Sequence, residues 1–163
     1  MPAPPHVLFL GSGNACRSQM AEAWLRRLGG DGVVAASAGT APGTMAPMTA
    51  AAMAEAGLDL SGQHPKGLDG VDLDGVTHVV TVCDAAARAC PDFPREVNRR
   101  HWSVPDPAGL AEDFPHLIND GFRAIRDNLR DRVCLLLREL GREPLPFPAP
   151  PPSDSVDSRG DRP

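Results

Sequence analysis

His6-Val-Leu-Phe-Leu10, followed by Gly11-Ser-Gly-Asn-Ala-Cys-Arg-Ser18, is the stretch that decides the fold. The first five residues are a short apolar run, which reads as a buried strand. The next eight are small or polar and read as a compact loop. From Gln19 to Leu28 the large apolar residues Met20, Trp24, Leu25 and Leu28 fall at helical spacing, and Gly29-Gly30 end the run. The opening is therefore strand, tight loop, helix. Small residues between a strand and a helix N-terminus let backbone N–H groups converge where the helix adds partial positive charge. Arg17 offers a planar guanidinium fork suited to a tetrahedral oxyanion. The loop lacks the Gly-Lys-Ser/Thr ending of a nucleotide P-loop and the spacing of a dinucleotide fingerprint. An ordinary turn with Arg17 in solvent is the plainer alternative.

The same alternation continues outward. Val33 to Ser37 reads as a second strand and residues 39–43 as a loop. A helix from Pro47 to about Ala56 follows, capped by Gly57. Val76 to Val82 is the strongest strand pattern, β-branched and apolar. A loop carrying Cys83 and Cys90 comes next, and His101 to Val104 reads as a short fourth strand ended by Pro105. Ile118, Phe122, Ile125, Leu129, Val133, Leu136 and Leu140 mark one face of an amphipathic helix that Gly141 ends. Residues 143–163 hold seven prolines and read as a disordered or extended tail behind a single domain of residues 1–142. Strands alternating with helices predict an α/β fold, a four-stranded parallel sheet with helices on both faces. In such folds, ligands bind beyond the carboxyl ends of the strands. That directs attention to the loops after Leu10 and Val82.

Composition narrows the function. The chain has 163 residues and a net charge of −5, with 16 Lys+Arg against 21 Asp+Glu. That balance disfavours a duplex DNA binder, and the absence of tyrosine disfavours a base-stacking surface. No apolar run reaches the roughly 18 residues of a membrane span. Met1 to Pro5 lacks the basic segment of a secretion signal. The expected compartment is therefore the reducing cytoplasm, where Cys16, Cys83, Cys90 and Cys134 are buried or chemically active rather than structurally paired. The scattered histidines and the lack of a Cys-x-x-Cys pair give no zinc pattern, so no metal is expected. Two small buried thiols are the plainer reading of Cys83 and Cys90, and an ordinary turn is that of Asp106-Pro107.

Phe9-Leu-Gly-Ser-Gly-Asn-Ala-Cys-Arg-Ser-Gln-Met-Ala-Glu22 resembles the oxyanion loop of arsenate reductases built on the low-molecular-weight protein tyrosine phosphatase fold. The resemblance continues through Ser37-Ala-Gly39, Val80-Thr-Val-Cys83, Cys90-Pro91, His101-Trp102 and Asp106-Pro-Ala-Gly109. It implies that Gly11, Ser12, Gly13, Asn14, Ala15, Cys16 and Arg17 form the oxyanion-binding loop. Asn14 and Ser18 would support that loop. Asp106 would be the general acid, and Cys83 and Cys90 the thiols that end as a disulfide. The substrate would be arsenate, with phosphate as its mimic. Thioredoxin or a small thiol would be the reductant, with no bound cofactor. The loop departs from the family at Gly11, where relatives carry the nucleophilic cysteine six positions before the arginine. Cys16 lies in the loop at a position that usually points away from the anion. Some relatives hold potassium near this loop; Asn14, Glu22 and Ser37 match those ligands, but Lys66 stands where an aspartate would be. The resemblance thus implies a reductase impaired by Gly11. A catalytically inactive arsenate- or phosphate-binding protein is the alternative, and a tyrosine phosphatase a third reading.

Overall fold

The computed structural model describes residues 3–109 and 115–147. Four parallel strands make one sheet: β1 (His6–Gly11), β2 (Val34–Gly39), β3 (His78–Thr81) and β4 (Asn98–His101), in the order β2-β1-β3-β4. The helices are α1 (Arg17–Gly29), α2 (Pro47–Glu55), the short α3 (Asp84–Arg88) and α4 (Ile118–Glu139). β1 is hydrogen-bonded on both edges and covered on both faces, so it reads as an unbroken apolar run. Val7, Leu8, Phe9 and Leu10 are all fully buried. Alternation then sorts them. Val7 and Phe9 join the larger core with Met20, Trp24 and Leu25 of α1 and Leu129, Val133 and Leu136 of α4. Leu8 and Leu10 join the smaller core on the opposite face, with Val76, Val79 and Ala86 of α3.

Helix ends follow local chemistry. α2 begins with Pro47, and Gly57 takes a positive φ of 86° beyond its end. After α4, Gly141 at φ 75° lets its own N–H reach the Arg138 carbonyl and the Arg142 N–H reach that of Leu137. The described chain keeps packing beyond residue 142. The Leu145 N–H donates to the Leu28 carbonyl (2.8 Å), and the Phe147 ring meets that of Trp24 edge-on at 5.2 Å. The expected tail from 148 onward lies outside the described residues.

Two elements differ from the sequence reading. The fourth strand is Asn98–His101 rather than His101–Val104, and none of its four side chains is fully buried. It is an edge strand, paired only to β3 through Val80 opposite Arg100 and Thr81 opposite His101. Pairing rather than burial defines it. The segment after Cys83, expected as a loop, contains α3. Cys83 caps that helix, its sulfur accepting the Ala86 N–H at 3.4 Å.

The strand order fixes where a ligand can sit. From β1 the chain moves to β2 on one side and later to β3 on the other. The crevice of this switch point opens at the carboxyl end of β1, where residues 12–16 leave the sheet.

Candidate oxyanion and thiol site

Gly11 is the last residue of β1, opposite Gly39 of β2. From there the loop runs beside residues 40–43. Thr40, Ala41 and Gly43 donate their N–H groups to the carbonyls of Gly11, Ser12 and Gly13 (2.8–3.0 Å). The approach is so close that a side chain at Gly39 would sit 2.5 Å from the Ser12 carbonyl oxygen. Gly39→Ala must therefore push the loop backbone. A loss of about 2 kcal/mol, the usual cost of overpacking, should appear as a Tm several degrees lower, with weaker phosphate binding. Calorimetry with and without phosphate measures both.

Asn14 is the pivot of the loop. Its φ of 52° lies in the left-handed region that asparagine tolerates. Its buried amide donates to Ser18 Oγ (2.8 Å) and Ser37 Oγ (3.0 Å) and accepts from Gln19 Nε2 (2.9 Å) and the Lys66 N–H (3.0 Å). The amide is thus saturated. Asn14 and Ser18 meet through that bond. Gln19, Gln63 and the backbone of Lys66 belong to the same network, and the sequence reading gave them no role. Gln19 lay within the string that carried the resemblance, which was the one signal available. Lys66 Nζ stands 4.0 Å from Glu22 Oε1. Burial raises the Glu22 pKa, and the Lys66 and Arg26 charges oppose that shift. Among the described residues no group of three or more His, Cys, Asp or Glu could hold a metal ion.

Arg17 opens α1 and reaches over the loop. Its Nη1 donates to the Val104 carbonyl (2.8 Å), and its Nη2 lies 3.9 Å from Asp106 Oδ2. Asp106 sits at the rim, its Oδ1 taking the Ala108 N–H (2.9 Å) and its side chain 57% exposed. Loop, Arg17, Asp106, Val82 and Phe122 enclose a cleft of about 330 Å³. The cleft has room for a tetrahedral oxyanion.

The cysteines divide sharply. The Cys16 thiol is partly buried beside Thr49 of α2, and desolvation pushes its pKa up to about 11. At Cys83, burial also opposes ionisation. Hydrogen bonds from the Ser12 hydroxyl and N–H and from the Ala86 N–H, together with the Arg17 charge, outweigh it and bring the thiol below its ordinary range. The Cys83 sulfur lies 3.3 Å from Ser12 Oγ, 71 residues away in sequence. Cys90 sits in a separate groove of about 250 Å³ under β4, its sulfur accepting from Arg99 Nη1 at 3.1 Å. Since thiolates are the species alkylated, Cys83 should react with iodoacetamide well before Cys16 at pH 7. Its rate should level off at a lower pH than an ordinary thiol's, while Cys16 stays slow until about pH 11. Peptide mass spectrometry over a pH series tests this order.

His101 and Trp102 pack and hydrogen-bond. His101 bridges Thr81 Oγ1 (2.7 Å) to Asp84 Oδ1 (3.0 Å), and the Trp102 ring lies 5.6 Å from that of Phe9. The structure brings Gly11–Ser18, Cys83 and Asp106 to one end of the sheet, with Cys90 beyond α3.

A parallel sheet ordered 2-1-3-4, with a compact glycine-containing loop leading from its first strand to an arginine at a helix start, defines a phosphatase-type α/β scaffold. Residues 6–145 match the low molecular weight phosphotyrosine protein phosphatase family, and the chain belongs to it. Within that family the curated relatives it resembles are arsenate reductases. One from Bacillus anthracis is 38% identical over 127 residues, covering 78% of this chain and 90% of the relative. One from Brevibacillus brevis is also 38% identical over 127 residues, with the same shares covered. Among solved structures, an arsenate reductase in its phosphate-binding state aligns with a TM-score of 0.68 and 27% identity, over 83% of this chain and 98% of that one. A thioredoxin-dependent arsenate reductase of Corynebacterium glutamicum aligns with a TM-score of 0.68 and 26% identity, over 86% of this chain and 64% of that one.

Proposed function

We propose that this chain binds arsenate in the loop of residues 11–18 and reduces it to arsenite, with Cys83 and Cys90 supplying the two electrons. The observation that carries the reading is the Cys83 thiol resting on Ser12 of the oxyanion loop (3.3 Å), with Cys90 one short helix further on. In this reading the loop N–H groups and Arg17 hold the anion, and Asp106 protonates the oxygen that leaves as water. Asn14 and Ser18 keep the loop in shape. Thioredoxin, or a small thiol, reduces the resulting Cys83–Cys90 disulfide; the thioredoxin-dependent neighbour supports a thiol reductant. The reaction belongs to the cytoplasm, and it needs no metal. Gly11 makes the chain a slower reductase than relatives that carry a cysteine there.

The direct test is arsenite release from arsenate with thioredoxin, thioredoxin reductase and NADPH. Steady release that depends on this chain supports the proposal. One observation favours a second reading: with Gly11 in place of a thiol, the loop would hold arsenate or phosphate without transforming it. Tight phosphate binding with no arsenite at any thiol donor would establish that reading instead. Phosphatase action on phosphotyrosine stands third, because it leaves Cys83 and Cys90 without a role. Hydrolysis of an aryl phosphate above background would favour it.

A further inference from the structure

A reductase without a thiol at position 11 needs another first nucleophile, and the chain offers four cysteines. Cys16 lines the cleft, but its thiol sits beside Thr49 of α2 and burial keeps it protonated until about pH 11. Cys134 lies on α4, and Cys90 is held in its own groove by Arg99. Besides Cys16, which belongs to the loop, Cys83 is the cysteine in contact with it, its sulfur 3.3 Å from the Ser12 hydroxyl. Ser12 also lines the cleft of the loop, so the Cys83 sulfur stands beside that cleft, where the first step requires the roughly 3–3.5 Å of a near-attack geometry.

We propose that Cys83 is the first nucleophile in this chain, attacking the arsenic of loop-bound arsenate, and that Cys90 completes the reduction in a two-thiol cycle. This rests on the reductase reading above. In the first step the Cys83 thiolate forms a sulfur–arsenic bond, and one arsenic–oxygen bond breaks. The oxygen takes a proton from Asp106 and leaves as water. In the second step the Cys90 thiolate attacks the Cys83 sulfur. The sulfur–arsenic electron pair passes to arsenic, which departs as arsenite. Two thiols are oxidised to one disulfide and arsenic(V) is reduced to arsenic(III), so the electrons balance. The disulfide then requires a dithiol protein or a small thiol from solution.

The short helix couples the two steps. Cys83 and Cys90 flank α3 (Asp84–Arg88), and seven residues at a full helical rise would span roughly 10 Å against about 5.5 Å between the Cα atoms of a disulfide, so in this cycle the segment rearranges as the disulfide forms. Its N-terminus is held by the Cys83 sulfur, which accepts the Ala86 N–H (3.4 Å). A thiolate is a good acceptor and an arsenic-bound sulfur a poorer one, so the first step weakens the cap that the second must break. Asp84–His101 (3.0 Å) and Cys90–Arg99 (3.1 Å) are among the other ties of the segment.

The test is a single turnover with the reduced full-length chain, freed of external thiol, mixed with arsenate and quenched with an alkylating agent. The expected result is one arsenite per chain and a Cys83–Cys90 disulfide by peptide mass spectrometry, unchanged in Cys134→Ser. Cys83→Ser should release less than a tenth of that arsenite. A serine keeps an acceptor at the α3 cap, and unchanged Tm and phosphate binding would show the variant folded. Cys90→Ser should also release less than a tenth, while arsenate slows Cys83 alkylation about tenfold. Near-parent arsenite from folded Cys83→Ser, or a disulfide through Cys16, would overturn the proposal. If the parent yields no arsenite and Gly11→Cys does, Cys83 is not the first nucleophile, although the scaffold is a reductase. If neither yields arsenite, the reductase reading itself falls.

Discussion

Gly11→Cys should raise kcat/KM for arsenate reduction by about 100-fold, equivalent to roughly 2.7 kcal/mol of transition-state stabilisation. Space allows the change. A Cβ at position 11 would meet Ser18 Oγ at 3.2 Å and Val82 Cγ2 at 3.6 Å, so only a serine hydroxyl has to give, by a few tenths of an ångström. The chemistry gains more than space. A sulfur at Gly11 would stand at the mouth of the loop, where the N–H groups and the α1 N-terminus favour the thiolate. Ser18 already accepts the Asn14 amide (2.8 Å), which leaves its own proton free to donate to that sulfur. Steady-state arsenite formation by both chains measures the gain. Equal rates would mean that the loop does not seat arsenate above residue 11.

Arg17→Ala should weaken phosphate binding about 100-fold, again near 2.7 kcal/mol. The guanidinium supplies the charged fork over a loop whose other donors are neutral N–H groups. Arg17→Lys should recover only part of the loss, because an ammonium keeps the charge but not the planar pair of donors. Arg17 also donates to the Val104 carbonyl, so the alanine variant loosens the segment that carries Asp106. Titration calorimetry with phosphate separates the variants. A change of less than threefold in Arg17→Ala would assign binding to the loop N–H groups alone.

The local parts of this protein were open to reading from the chain. His6–Leu10, the small loop and the α4 stripe announce themselves because burial on both faces, tight turning and an apolar helix face each leave a pattern. β4 leaves none. Asn98-Arg-Arg-His101 is a strand because β3 offers it a ladder, and the apolar Trp102 and Val104 drew the expected strand three residues too late. α3 hid for a related reason, since one buried alanine and a sulfur cap define five residues of helix. The contact between Ser12 and Cys83 joins residues 71 apart and follows only from the pairing of β1 with β3. Asn14 was expected as a support, but its bond to the Lys66 backbone depends on a chain crossing no local pattern reveals.

The make-up of β4 has a consequence for solubility. As the outer strand of the sheet it offers a row of backbone donors and acceptors to any extended chain that meets it. Its side chains include two arginines, Arg99 and Arg100. Arg100 is tethered across to Glu139 of α4, and Arg99 lies over the Phe93 ring at 5.3 Å. Two copies meeting edge to edge would bring these like charges together, so that border resists the strand-on-strand stacking that seeds aggregates.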